Sequence, residues 1–187
     1  MNVTRAEIAD VLLIEPRIFG DERGYFLETW SSQRYADAGL PAMFVQDNLS
    51  RSARGVLRGL HLQHPYGQGK LVQVIEGEVF DVAVDLRVGS RTFGKWVGYT
   101  LTGASKRQIY IPPGFAHGFC VTSENAVFSY KCTELYRPEA ELGVRWDDPG
   151  VGVAWPLATS PTLSAKDSAF PLLRDIPESK LPRYTGS

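Results

Sequence analysis

A long series of short extended segments, each stopped by glycine or proline before it can grow, constrains this chain more than any other feature. Apolar and β-branched residues predict strands over 11–14, 25–30, 44–49, 56–63, 71–75, 79–86, 96–101, 108–111, 118–122 and 126–133. Between them fall most of the 18 glycines and 12 prolines. Near-regular spacing of this kind predicts an all-β fold, an antiparallel barrel or sandwich of the jelly-roll type. Helix is expected in one early place. Ser31 or Ser32 caps a short segment through Ala38, and Gly39 stops it with Pro41 behind. Brief helical turns are expected near Glu139 and Ser164. No repeat and no second domain interrupts residues 1–187. The tail, 155–187, reads as a wrap that adds no core strand.

One connection reads as a hairpin, 71–75 to 79–86 around Glu76-Gly77. In its second arm Phe80, Val82, Val84 and Leu86 share one face, and Val79, Asp81, Ala83 and Asp85 share the other. Two acids among small residues suit a polar barrel interior, or else a solvated outer face.

Charge narrows the partners. Twenty basic and 21 acidic residues are scattered, the net charge is -1, and no basic run occurs. That pattern argues against a nucleic-acid footprint or a polybasic membrane patch, but leaves room for an anionic small molecule. The two cysteines, Cys120 and Cys132, have no framework spacing and read as core hydrophobes in a reducing compartment. The first residues lack the layout of a secretion signal, and no apolar run reaches membrane-spanning length. The expected location is cytoplasmic.

Two stretches carry the chemistry. Gly55-Val56-Leu57-Arg58-Gly59-Leu60-His61 sets a guanidinium and an imidazole three residues apart in an apolar run. Buried cations and histidines are costly unless they have partners or work to do. Pro112-Pro113-Gly114-Phe115-Ala116-His117 resembles the second motif of cupins, P-x-G-x-x-H. The first cupin motif, H-x-H followed by Glu, is broken here: the positions hold His61-Leu62-Gln63 and then Lys70. A site short of one imidazole, with a cation in place of its acid, is a poor metal site. The same groups suit proton chemistry. An ammonium can polarise a carbonyl and stabilise an enolate, a histidine can remove the adjacent proton, and a tyrosine can return one.

Along residues 19–167 the chain resembles the dTDP-4-dehydrorhamnose 3,5-epimerase family. The resemblance rests on Phe19-x-Asp21-x-Arg23-Gly24-x-Phe26-x-Glu28, Gln46-Asp47-Asn48-x-Ser50, Gly55 to His61 and Lys70-Leu71-Val72. It continues through Asp81 to Arg87, Ile111-Pro112-x-Gly114-Phe115-Ala116-His117, Tyr130-Lys131, Glu141-x-Gly143-x-x-Trp146 and Leu163-Ser164-x-Lys166-Asp167. The resemblance implies an enzyme that inverts carbons 3 and 5 of a dTDP-4-keto-6-deoxyglucose on the route to dTDP-L-rhamnose, without metal or organic cofactor. The rival readings are a single-site sugar-nucleotide epimerase or ketoisomerase of the same fold, a metal-dependent cupin and a non-catalytic sugar-nucleotide-binding module. The resemblance also implies that His61 is the base, Asp167 its charge partner, Tyr130 the acid on the opposite face, and Lys70 the holder of the 4-oxygen. Arg23, Glu28, Gln46, Asn48, Arg58, His117, Glu141 and Lys166 fall on family positions that contact the nucleotide sugar. Arg23 and Glu28 belong to an N-terminal segment, about residues 1–30, that in the family reaches into a partner's site. A homodimer is therefore implied.

Plainer readings compete at several of these positions. Ser164-Ala165-Lys166-Asp167 also fits a capping box, with Asp167 serving only a helix start. Arg23 with Glu28 also fits a surface ion pair, Tyr130 a core tyrosine, and His117 a structural histidine. His64, before Pro65, reads as an idle loop residue. Strict alternation puts Arg58 and His61 on opposite faces of one strand. Either Gly59 marks a bulge, or Arg58 reaches round an edge. Tyr130 and His61 are expected to face each other across a cavity, with Lys70 between them at one edge.

Overall fold

The computed structural model describes residues 1–186. Thirteen strands form: β1 (Asn2–Arg5), β2 (Leu12–Glu15), β3 (Ile18–Asp21), β4 (Gly24–Leu27), β5 (Gln46–Ala53), β6 (Leu57–Gln63) and β7 (Lys70–Glu76). After them come β8 (Glu78–Asp85), β9 (Trp96–Thr102), β10 (Gln108–Ile111), β11 (Phe115–Val121), β12 (Asn125–Cys132) and β13 (Glu141–Gly143). A six-stranded sheet runs β1-β2-β10-β7-β12-β5, and a five-stranded sheet runs β13-β6-β11-β8-β9. Every pairing within them is antiparallel. β3 and β4 form a separate hairpin.

The two sheets close on one shared core. Val72, Val74, Ile109 and Phe128 of one sheet pack with Val79, Ala83, Val97 and Phe119 of the other. Phe119 and Phe128 stack across the gap, ring centroids 3.9 Å apart. Burying such rings on both sheets is the main force holding the layers together. This is the jelly roll expected from the strand pattern.

The outer faces are covered differently. On the six-stranded sheet, Ile14, Leu71 and Tyr110 are covered by Tyr35 and Leu40, from and just beyond α1 (Ser32–Asp37). The Tyr35 hydroxyl donates to Thr29 O and Gln108 Oε1, each at 2.9 Å, which anchors that helix. On the five-stranded sheet, Val82, Val84 and Leu86 are covered by Val144, Val151 and Leu181, with Trp155 and Ile176 against them. The prolines of the tail keep it out of the sheets, so it wraps. Among the described residues, helix elsewhere is limited to α2 (Ala165–Ser168) and 3₁₀ turns at Pro138–Ala140, Leu173–Asp175 and Glu178–Lys180. No helix among the described residues is long and apolar enough to cross a membrane.

Two expectations from the sequence need correction. β7 and β8 do not form a hairpin: β7 pairs with β10 and β12, while β8 pairs with β9 and β11. Gly77 (φ +79°) turns the chain from one sheet into the other, and a Cβ there would fall 2.0 Å from Asn125 O. Local alternation cannot distinguish a hairpin from such a corner. The segment 50–53, outside the strands expected over 44–49 and 56–63, is strand, because β5 pairs with β12 along its full length. Asp81 and Asp85 are both fully buried, so the interior reading of the β8 acids is the observed one.

Candidate active site

A cavity of about 720 Å³ opens between the sheets. Its walls hold every candidate residue proposed from the sequence except Arg23 and Glu28. Strand geometry decides which wall each residue occupies.

His61 comes from the five-stranded sheet. Its neighbour on β11 in register is His117, but two positions on, Phe119 stands opposite Arg58. Three residues of β6 thus match two of β11, which is a bulge. It settles the alternation conflict, since Arg58 and His61 both line the cavity. Glycine is required at the bulge. Gly59 has φ +131°, and a Cβ there would sit 2.5 Å from Gly118 Cα and 2.9 Å from His117 O.

His61 Nε2 lies 2.6 Å from Asp167 Oδ1, across 106 positions of sequence. The Asp167 backbone N–H meanwhile donates to Ser164 Oγ at 3.0 Å. The capping reading and the dyad reading are therefore both satisfied. The backbone of Asp167 serves the helix start and its carboxylate serves the histidine. Burial opposes the Asp167 charge, but the His61 hydrogen bond and charge, with help from Ser164 and Lys166, outweigh it and lower its pKa. An ionised Asp167 requires Nε2 to donate, and in the neutral imidazole that leaves Nδ1 with the lone pair of a base.

Tyr130 stands on β12, in the opposite sheet, in the inward row Ala126, Phe128, Tyr130, Cys132. Burial raises its pKa and so keeps the phenol protonated. Lys70 begins β7 in the same sheet as Tyr130, beside Cys132 of β12, and its ammonium is close enough to Asp81 and Glu141 of the facing sheet to feel their charges. It is 8 % exposed. Burial lowers its pKa, while the charges of Cys132, Asp81 and Glu141 act in the other direction.

The second histidine has a carboxylate of its own. His117 Nε2 lies 2.8 Å from Asp81 Oδ2, and both side chains are buried. Asp81 Oδ1 has no hydrogen-bond partner among the described residues. Sequence reasoning noticed Asp81 as an interior acid but did not join it to His117, because the two sit on different strands with 36 positions between them.

Polar groups ring the mouth. Lys166 Nζ donates to both Glu141 oxygens at 2.9 Å, and the Tyr136 hydroxyl donates to Glu141 Oε2 at 2.9 Å. Arg58 Nε and Nη2 both donate to Ser52 Oγ, at 3.2 and 3.1 Å. Gln46 Nε2 donates to Asn48 Oδ1 at 3.0 Å. Tyr136 and Ser52 are positioning partners that sequence reasoning missed. Arg23 and Glu28 lie outside this cavity and are not paired with each other. Arg23 bonds Asp21 on the exposed β3–β4 turn, and Glu28 bonds Arg34. His64 is half-buried at a separate cleft. Among the described residues no three His, Cys, Asp or Glu side chains converge as a metal-ligand set.

A jelly roll whose inner cavity joins histidine, tyrosine and lysine from facing sheets belongs with enzymes that move protons, the isomerases. The family can be stated more closely. The model of the dTDP-4-dehydrorhamnose 3,5-epimerase family matches residues 5–175, and the chain belongs to that family. The dTDP-4-dehydrorhamnose 3,5-epimerase of Pseudomonas aeruginosa is 57 % identical over 168 residues, 89 % of this chain and 93 % of that one. A crystal structure of the Legionella pneumophila dTDP-6-deoxy-D-glucose-3,5-epimerase, in complex with dTDP-4-keto-L-rhamnose, superposes with a TM-score of 0.96. It has 53 % identity and covers 99 % of both chains. A dTDP-4-dehydrorhamnose 3-epimerase from Streptomyces niveus is 43 % identical over 187 residues, 98 % of this chain and 90 % of that one.

Proposed function

We propose that this enzyme inverts carbons 3 and 5 of dTDP-4-keto-6-deoxyglucose by removing and returning the protons beside the keto group. His61 takes the proton through Nδ1, and Asp167 stabilises the imidazolium that results. Lys70 holds the 4-oxygen as negative charge develops on it. Tyr130 then delivers a proton to the opposite face of the ring. Inversion needs this division, because a single base on one face can only return the proton to where it was. The groups at the mouth, Arg58, Gln46, Asn48, Glu141 and Lys166, are assigned to the nucleotide and diphosphate, and His117 to the sugar. No step calls for a metal or an organic cofactor.

The observation that supports this most is the His61–Asp167 pair at 2.6 Å, facing a tyrosine on the other sheet across one cavity. The test is incubation with the 4-keto sugar nucleotide in heavy water. The wild type should place deuterium at both carbons. Tyr130→Phe should still exchange protons yet make little inverted product. Inversion by Tyr130→Phe at the wild-type rate would end the two-face mechanism. A second reading, inversion at one carbon only, is supported by the resemblance to the 3-epimerase, and deuterium at a single carbon would select it.

Arg23 and the exposed rings of Phe19, Tyr25 and Phe26 on the β3–β4 hairpin are assigned to a homodimer in which this hairpin reaches the partner's cavity. A fully active monomer by light scattering would overturn that assignment. Two free buried thiols, Cys120 and Cys132, support a reducing, cytoplasmic setting. Residues 1–187 are taken as one domain.

A further inference from the structure

Phe170 lies three residues beyond Asp167 and has no part in the chemistry above. Its ring packs edge-on to the His61 imidazole, centroids 5.4 Å apart and planes at 74°. Room for that ring comes from β13. Gly143 is the partner of His61 across the β13–β6 ladder. A Cβ on Gly143 would fall 2.4 Å from Cε1, Cε2 and Cζ of Phe170. The backbone of Gly143 is not left-handed, so space rather than φ demands glycine. The segment carrying Phe170 is pinned on both sides. Ser164 Oγ caps Asp167, and the Arg145 N–H donates to Pro171 O at 2.9 Å. Beyond that, the Leu173 N–H donates to Asp148 Oδ2.

We propose that Phe170 is a positioning residue that fixes the plane of the His61 ring, and that Gly143 is the notch admitting it. This rests on His61 being the base. A bond at Nε2 and the link at Cβ hold the imidazole at two points, and about the line joining them the ring can still tilt. The edge contact from Phe170 removes that tilt and aims Nδ1 at the carbon-bound proton. Misaim of a proton acceptor lowers the rate of transfer without changing how the nucleotide binds.

The test compares kcat, KM and deuterium exchange for the full chain and its variants. Phe170→Ala should lower kcat and exchange by roughly tenfold while KM stays within about twofold. Phe170→Tyr, which keeps the ring, should restore both. Gly143→Ala should expel the ring and copy Phe170→Ala, and the double variant should be no worse than the worse single. If Phe170→Ala fails to fold, Phe170→Leu takes its place, and its kcat must fall as well. Wild-type kcat in a Phe170→Ala or Phe170→Leu enzyme with a lowered Tm would show a packing role only and overturn the proposal. So would losses from the two single variants that simply multiply in the double. His61→Ala is run alongside. If it still exchanges protons, the base assignment has failed. If it does not, while Phe170→Ala is fully active, only the positioning role has failed.

Discussion

His61 and His117 are register partners on neighbouring strands, and each bonds an aspartate, yet the two pairs occupy different environments. The His61 side chain is 26 % exposed to the cavity, whereas His117 is 7 % exposed and Asp81 is fully enclosed. His117 also stacks on Phe128, centroids 6.1 Å apart. The carboxylates respond in opposite directions. Asp167 is held below its ordinary range, and burial pushes Asp81 above it in spite of His117. Burial likewise lowers the pKa of His117. The first pair lies where substrate can reach it, with its carboxylate held ionised, and burial drives the second towards neutrality. The same two residue types make an open pair in the first place and a nearly enclosed pair in the cavity wall in the second, and the degree of access separates them.

His61→Ala should break the comparison hardest, with turnover and deuterium exchange falling by up to about 10⁴-fold in a rate assay. Its stability should fall by only about 1–2 kcal/mol, since water entering the cavity can reach Asp167. His117→Leu should show the reverse emphasis. It leaves the buried Asp81 carboxyl without its hydrogen-bond partner and should cost about 3 kcal/mol in urea unfolding, the upper end for an unsatisfied buried polar group. A His117→Leu enzyme as stable as His61→Ala would mean that burial is not what distinguishes the pairs.

Asp167→Asn keeps the shape and removes the charge, and we expect kcat to fall about 10²-fold with little change in KM. It should also flatten the acid limb of the stability curve. Asp167 has a lowered folded pKa, so the stability it adds is complete above the ordinary aspartate value of 3.8 and is lost as pH falls through the folded value. Asp81, with a raised folded pKa, adds stability that is present at low pH and lost as pH rises through that value. Unfolding curves of Asp167→Asn and Asp81→Asn against pH should therefore depart from the wild type in opposite directions. The smallest effect should come from Ser164→Ala. Loss of the cap to the Asp167 N–H costs about 1 kcal/mol by thermal unfolding, with the dyad intact and kcat near that of the wild type.

Much of the site was legible as residue types. The lysine and glutamine standing where cupins place an acid and a histidine turned the reading from metal binding to proton transfer, and the resemblance to the cupin motifs supplied that. The inward row of β12, which carries Tyr130 and Cys132, was readable from period-two alternation, as were the interior acids of β8. Arg58 with His61 was readable only as a conflict, to which Gly59 offered a bulge as one answer. The hairpin expected around Gly77 shows the other side. A turn glycine between two apolar runs says that the chain reverses, but not whether the runs pair with each other or with different sheets.

What the sequence by itself determined is therefore local: where strands start and stop, which face each side chain takes, and which chemical groups are present. Those follow from steric limits on neighbouring residues and from the two-residue repeat of a strand, and both act over short distances. The family resemblance already implied that Asp167 partners His61 and that Tyr130 faces it. The tertiary structure decided that Asp81 meets His117 and that Asp167 serves its own helix and His61 together. Partners 36 and 106 positions apart are chosen by how the sheets stack and how the tail is pinned. Burial is set by that same stacking, so one histidine opens widely on the cavity while its register neighbour lies almost enclosed in the cavity wall.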